Sequence, residues 1–309
     1  MRAGDTVRAF APASSSNLGS GFDLLGHAID GVRDEVQARR VDAPGVRITG
    51  LHGLPLPLPT DAARNTAGLA AMRVLERADA GFGVELELHK GIPLGSGIGG
   101  SAASAVAAVV AVNALLDAPL SIEALYDCAL DGEALASGAR HGDNVAPSLY
   151  GGLVAAFHDR PRHLSVPDDL FAALVTPAQV LETRVARDVL REPYALGAVV
   201  KQTHRLASLL LGLQQDDLAS IAFGLGDELV EPRRAALIPG FAKVKQAALD
   251  AGAIGSGISG AGPTVFAWCI GRECAAQVMR TMRSAFDAQG IASQGVVTPI
   301  AGPAAAVIT

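Results

Sequence analysis

Aromatic side chains are scarce in this chain, 4% of 309 residues with a single Trp, although half of the residues are hydrophobic. The core must therefore be filled by Ala, Val, Leu and Ile. Cysteine is nearly missing as well. Cys128, Cys269 and Cys274 are odd in number and stand mostly in apolar text, which fits reduced thiols of a cytosolic protein better than a disulfide or zinc framework. No excess of positive charge is present, since 25 Lys and Arg face 31 Asp and Glu for a net charge of −6. That balance argues against a nucleic-acid partner. Long apolar runs are absent too: the longest, Ala102 to Leu116, is interrupted by Ser104 and Asn113 and is too short and polar to span a bilayer. The first six residues carry an early charge but no apolar stretch of a signal peptide. A cytoplasmic location without a membrane partner is the expectation. Finally, no Gly-Lys pair occurs anywhere, which excludes a Walker A loop.

What the chain does have is glycine in two dense strings. The first is Pro93-Leu94-Gly95-Ser96-Gly97-Ile98-Gly99-Gly100-Ser101-Ala102-Ala103. It follows a segment of alternating character, with Val84, Leu86 and Leu88 apolar, and opens into the apolar stretch that reads as a buried helix. A glycine-rich turn entering a helix offers free backbone N–H groups and the positive end of the helix dipole, a surface for phosphate. Gly95, Gly97 and Gly100 also satisfy the dinucleotide pattern G-x-G-x-x-G. So do Gly255, Gly257 and Gly260, however, and Pro93 breaks the strand–helix junction that a dinucleotide loop needs. Asp117, at about the spacing where such a fold carries its acidic residue, lies in a Pro-containing loop. A connector serving only tight packing is the remaining alternative. The second string, 255–264, is too rich in glycine for an ordinary strand and marks close backbone approach.

At this length two domains are expected, 1–160 and 161–309, divided at the polar stretch 159–163. Thr6–Ala11 reads as a strand running into a polar functional loop, 14–21. Asp34–Val41 and Val46–Thr49 read as strands, and the Pro-rich stretch 54–59 as an extended connector. Leu69, Met72 and Leu75 mark a helix after Asn65, and Ser121 caps another running to Ser137. Leu149–Phe157, Phe171–Thr176, Val265–Ile270 and Ile291–Val297 read as strands. Helices are expected around Val199–Leu213, Phe241–Leu249 and Ala275–Phe286. Strands on a sheet with grouped helices predict an α+β fold.

The first glycine string resembles the phosphate loop of the GHMP kinases (galacto-, homoserine, mevalonate and phosphomevalonate kinases), usually P-x-x-x-G-L-G-S-S-A-A. Ile98 replaces Leu, and Gly100 replaces the first Ser. The string Pro12 to Asp23, in its form A-P-A-S-S-x-N-x-x-x-G-F-D, resembles the homoserine kinase branch. So do His141-Gly142-Asp143-Asn144-Val145-Ala146-Pro147, Glu231-Pro232-Arg233-Arg234 and Gly257-Ile258-Ser259-Gly260. The resemblance spans Pro12 to about Phe266. It implies a two-domain fold, with an N-terminal domain like domain 2 of ribosomal protein S5 and a ferredoxin-like C-terminal domain.

It also implies an enzyme that phosphorylates L-homoserine with ATP and Mg²⁺ for threonine synthesis, and a homodimer. By the resemblance, Pro93, Gly95, Ser96, Gly97, Ile98, Gly99, Gly100, Ser101 and Ala102 hold the triphosphate. Asn65 contacts adenine or caps a helix, and Ser101 and Glu133 hold the metal. Asn17, Asp23, Asn144, Arg187, Arg234 and Gly260 bind the acceptor, with Asp23 for its ammonium group and the two Arg for its carboxylate. The resemblance also sets Asn17 near the reacting hydroxyl, so that Asn17, Asn144, Arg187 and His141 are the candidate catalytic residues. Asn144 stands where related kinases carry a catalytic Asp. Asp143 is expected to point elsewhere, so the proton of the acceptor hydroxyl is expected to pass to the γ-phosphate, with His141 the next candidate base. A kinase of another small alcohol and a silent ligand-binding relative are the alternatives. The paired Arg and the retained Ser101 and Glu133 count against them.

Overall fold

The computed structural model describes residues 2–53 and 58–308, so most of the expected Pro-rich connector at 54–59 lies outside the described residues. A seven-stranded sheet is built from β1 (Thr6–Asn17), β2 (Gly21–Val41), β3 (Gly45–His52), β4 (Gly83–His89), β5 (Leu153–Ala156), β6 (Pro161–Leu164) and β11 (Ala306–Val307). Its main path runs β11-β1-β2-β4-β3, antiparallel except for the parallel pair β3/β4, and β5 joins β2 to β6. Residues on both sides of position 160 thus contribute to this sheet, and the C-terminal tail returns to it. Helices α1 (Thr66–Arg77), α2 (Gly100–Asn113) and α3 (Ile122–Ser137) pack against one another on one face, and α4 (Val145–Tyr150) packs beside α2.

The core here is small-residue packing, as the lack of aromatics requires. Along α2, Ala102, Ala103, Ala105, Ala107, Ala108, Val109, Ala111 and Val112 are buried almost all round. A helix apolar on every side belongs at the centre of a core. Small side chains let α1 and α3 approach it and each other closely: a Cβ on Gly132 of α3 would lie 3.2 Å from the Ala105 Cβ of α2 and 2.8 Å from the Ala70 Cβ of α1.

The second sheet is antiparallel, ordered β10-β7-β9-β8, from β7 (Leu170–Pro177), β8 (Gly255–Ile258), β9 (Val265–Ile270) and β10 (Ser293–Pro299). Period-two alternation divides its residues between two cores. Ala173, Val175, Val265, Ala267 and Cys269 meet α9 (Phe241–Asp250) and α10 (Arg272–Asp287). Leu170, Ala172, Leu174, Phe266 and Trp268 join the core of the first sheet. Between β7 and β8 run α5 (Thr183–Asp188), the long α6 (Leu196–Gln215), α7 (Leu218–Gly224) and α8 (Glu231–Arg234). No helix among the described residues is long and apolar enough to cross a membrane.

Three local expectations are corrected. The strand expected from Leu149 begins only at Leu153, because Leu149 and Tyr150 finish α4. The polar segment 14–17 is not a loop. It completes β1, paired with β2 through two register shifts, and Ser14, Ser15 and Ser16 are fully buried. The glycine string from 255 begins as a strand after all: Gly255–Ile258 is β8, at a sheet edge, and its glycines admit close neighbours, a Cβ on Gly255 falling 2.5 Å from Leu225 Cδ1.

Candidate active site

A cleft opens where the end of β1, the start of α2 and the second sheet's loops converge. Its walls include Asn17, Asp23, Asn65, Pro93, Gly95–Gly97, Gly99–Ser101, Glu133, His141, Asn144, Arg187, Arg234 and Gly260. They come from eight separate segments of the sequence, and the fold gathers them in one place.

The glycine loop is shaped by left-handed backbone at Gly95, Gly97 and Gly99 (φ 61°, 79° and 68°), which side chains other than glycine adopt at a cost. Gly99 caps α2 without any side-chain bond, and the first intrahelical bond is Ala103 N to Gly99 O, 2.9 Å. The N–H groups of Gly100, Ser101 and Ala102 are therefore left for an anion. The second glycine string latches the loop from the other domain. Ser259 Oγ donates to Gly97 O (2.9 Å), Thr264 N and Oγ1 both donate to Ser96 O (3.2 and 2.6 Å), and Gly260 N donates to Ser16 O (3.0 Å). Two members of the expected phosphate set face elsewhere. The side chains of Ile98 and Ala102 are buried in the first core, which leaves them only backbone groups for a nucleotide. Ser96 Oγ donates to Pro93 O (2.7 Å), so its proton is spent within the loop.

Lys90 is a cleft residue that sequence reasoning missed. Its buried ammonium pairs with Asp34 and donates to Gly100 O (2.8 Å) and Ser104 Oγ (2.7 Å). Asp34 in turn accepts from Gly91 N and Ile92 N, both 3.0 Å. The pair is fixed to both ends of the turn that carries the glycine loop. Gly100, which lacks the family's usual hydroxyl, lies against it: a Cβ there would come 3.1 Å from Ile92 Cγ2 and 3.7 Å from Lys90 Nζ.

Glu133 is buried on α3, and its Oε2 has no hydrogen-bond partner. Burial pushes its carboxyl up to about 7, opposed by the Ser101 hydroxyl and reinforced by the charge of Asp143. Asp143 corrects an expectation, because it lines the same cleft and does not point elsewhere. Burial, then the charge of Asp23, raises it to about 6 against a hydrogen bond from Ser16.

At the other end of the cleft, Asn17 takes a left-handed conformation (φ 71°), accepts from Asp23 N (3.1 Å) and donates to Gly260 O (2.7 Å). Asp23 faces Arg187 in a two-pronged pair (2.8 and 3.2 Å), with His141 Nδ1 3.4 Å away. Burial depresses the His141 pKa, partly offset by Asp23. Arg187 Nε is buried without a partner. Arg234 spends Nε on Ala186 O and Nη1 on Gly260 O, both 2.9 Å, and burial with the neighbouring Arg187 lowers its pKa to about 10. Asn144 uses both ends of its amide, accepting from Ser14 Oγ and donating to Ser16 Oγ at 2.9 Å each. Asn65 caps α1, accepting from Ala67 N and Gly68 N (3.0 and 3.3 Å) and donating to Pro59 O.

Comparison with known proteins places the chain in a family. The family descriptions "GHMP kinases N terminal domain" and "GHMP kinases C terminal" match residues 65–152 and 195–288. A homoserine kinase of Xylella fastidiosa is 52% identical over 299 residues, covering 97% of this chain and 93% of that protein. The chain belongs to the GHMP kinase family. A homoserine kinase of Chlorobaculum tepidum is 40% identical over 98% of both chains. The crystal structure of homoserine kinase from Cytophaga hutchinsonii superposes with a TM-score of 0.95 at 42% identity, covering 100% of this chain and 99% of that one. Mevalonate kinase of L. major, at 17% identity and TM-score 0.67, shares the fold. Within this GHMP kinase the loop of Gly95–Ser101 and Asp23 face one cleft from the first domain, and Arg187 reaches it from α5.

Proposed function

We propose that the protein transfers the γ-phosphoryl group of ATP to the side-chain hydroxyl of L-homoserine, giving O-phospho-L-homoserine and ADP. The observation that carries this reading is the pairing, across one cleft, of an uncapped glycine-loop helix with the Asp23–Arg187 ion pair. Homoserine is a zwitterion. Its ammonium and carboxylate complement Asp23 and Arg187, so the acceptor exchanges one internal ion pair for two. Arg234 Nη2 makes no bond to a described residue and is the second donor toward the carboxylate.

Phosphoryl transfer asks the protein for positioning and for neutralisation of charge. The free N–H groups at the start of α2 receive the β- and γ-phosphates. Glu133 and Ser101 fit Mg²⁺: they are hard oxygen donors, one of them a buried carboxylate oxygen with no protein partner. When bound, that ion supplies positive charge to the phosphate oxygens. The acceptor oxygen bonds to the γ-phosphorus, the bond to the β–γ bridging oxygen breaks, and the hydroxyl proton passes to the transferred phosphate. Asn144, bonded at each end of its amide, holds the pocket wall and has no basic group to offer.

The test is ADP release with ATP and Mg²⁺, comparing homoserine with mevalonate, galactose and serine. Homoserine is expected to be the preferred acceptor by a wide margin. Turnover with another alcohol and none with homoserine refutes the assignment while leaving the fold untouched.

A further inference from the structure

On the outer face of the first sheet, away from the cleft, β3 and β4 lie parallel, and after a register shift between Ile48 and Gly50, Gly50 faces Glu87 and His52 faces His89. Leu86 and Leu88 turn inward to the core, so Glu87 and His89 project outward between them. The two imidazoles stack with centroids 4.7 Å apart and planes 22° from parallel. One ligand atom from each of His52, Glu87 and His89 lies within 4.8 Å of the others. None of the three side chains makes a hydrogen bond or ion pair with a described residue. Arg8, the cation that acts on His89, is itself paired with Glu35 at 2.6 Å.

Gly50 is the feature that makes room. Its φ lies outside the left-handed region, so its backbone does not call for glycine. What calls for it is the imidazole of His52: a Cβ at position 50 would lie 2.8 Å from Nε2 and 3.3 Å from Glu87 Cγ. The missing side chain lets the ring fold back beside the carboxylate.

We propose that His52, Glu87 and His89 form a peripheral site for a divalent late transition metal ion, zinc above all. Two imidazole nitrogens and one carboxylate oxygen are a donor set that zinc takes readily, with water as the fourth ligand. Magnesium prefers oxygen donors and is not competitive here. Metal–ligand bonds of 2.0–2.2 Å put tetrahedral donors about 3.3 Å apart. The present spacing reaches that by side-chain rotation on fixed strands, His52 being exposed and Glu87 and His89 half-buried. None of the three residues lines the cleft, so the site is separate from the Ser101–Glu133 position.

The experiment is equilibrium dialysis of tag-free full-length protein against micromolar zinc, without nucleotide. Wild-type protein is expected to hold an ion that the double variant His52→Gln, His89→Gln loses, with kinase activity retained as evidence of folding. Glu87→Gln, which leaves both rings in place, weakens that ion tenfold or more, and Glu133→Gln leaves it bound. Zinc should also shift the ring proton resonances of His52 and His89 in the NMR spectrum. The proposal fails if the double variant binds zinc with unchanged stoichiometry and affinity. It fails equally if the ion is lost with Glu133→Gln instead, which places zinc in the cleft.

Discussion

Glu133 and Asp143 are two buried carboxyls whose protons decide whether the cleft can hold positive charge. Glu133 rises to about 7 and Asp143 to about 6, chiefly because burial penalises the charged form. In both, the folded state binds the proton more tightly than the unfolded chain does. Their contribution to stability is therefore greatest at low pH and is lost as pH rises from the ordinary carboxyl range through 6 and 7. A divalent ion reverses the loss by binding the ionised form. Mg²⁺ should raise the melting temperature more at pH 8 than at pH 5.5, and scanning calorimetry with and without the ion checks this. Activity follows the same protons: kcat/KM for MgATP is expected to climb between pH 6 and 7. In Asp143→Asn the acid limb should move to lower pH, because the charge that raises the Glu133 pKa is gone. A limb that stays in place would detach it from Glu133. His141→Gln should keep most of kcat, whereas a loss above ~10³-fold would make His141 a general base.

Among elements, the glycine loop and α2 were the most legible part of the chain, because dense glycine followed by an unbroken small apolar run has few structural meanings. The strand end at Ser14–Asn17 was misread for a physical reason. Four polar residues in a row imply solvent, yet here most of them bond within the protein: Ser14 and Ser16 to Asn144, and Asn17 to Gly260. The Asp34–Lys90 pair, joining residues 56 apart, left no local signal at all, since a charged residue beside a strand usually lies in water. Asp143 was misplaced because its neighbour Asn144 was read as the residue facing the pocket, and both turn out to line it.

Breaking the buried Asp34–Lys90 pair should be severe. Lys90→Met leaves Asp34 charged and partly unpartnered, at a cost of roughly 3–5 kcal/mol, to be read by urea denaturation; a cost near zero would show that water reaches Asp34. Gly97→Ala acts more locally. A Cβ there would lie 2.5 Å from Gly262 O, on a backbone with φ 79°, so the loop must lose its latch to the second domain. A raised KM for ATP is expected, with homoserine affinity little changed.

At the scale of the whole molecule, the cleft is an agreement between two domains. The nucleotide side is drawn almost entirely from the first, through the glycine loop, α2 and Glu133. The acceptor side needs both, because Asp23 stands at the start of β2 while Arg187 sits on α5 and Arg234 on α8. This division predicts separable kinetics. Arg187→Met removes a charged two-pronged contact, and a hydrogen bond to a charged group contributes about 1.5–3 kcal/mol. At about 1.4 kcal/mol per tenfold, KM for homoserine should rise roughly 10- to 100-fold while KM for ATP stays put. The same geometry separates substrates. 4-Hydroxybutyrate keeps the hydroxyl and the carboxylate of homoserine but has no ammonium group, so binding it would draw Arg187 away from Asp23 and leave that carboxylate without a cation. It should therefore be a far poorer acceptor than homoserine in the wild-type enzyme, and Asp23→Asn should narrow the gap between the two. Equal use of both acceptors by the wild type would show that the Asp23–Arg187 pair stays closed during turnover and that the carboxylate of the acceptor is read elsewhere.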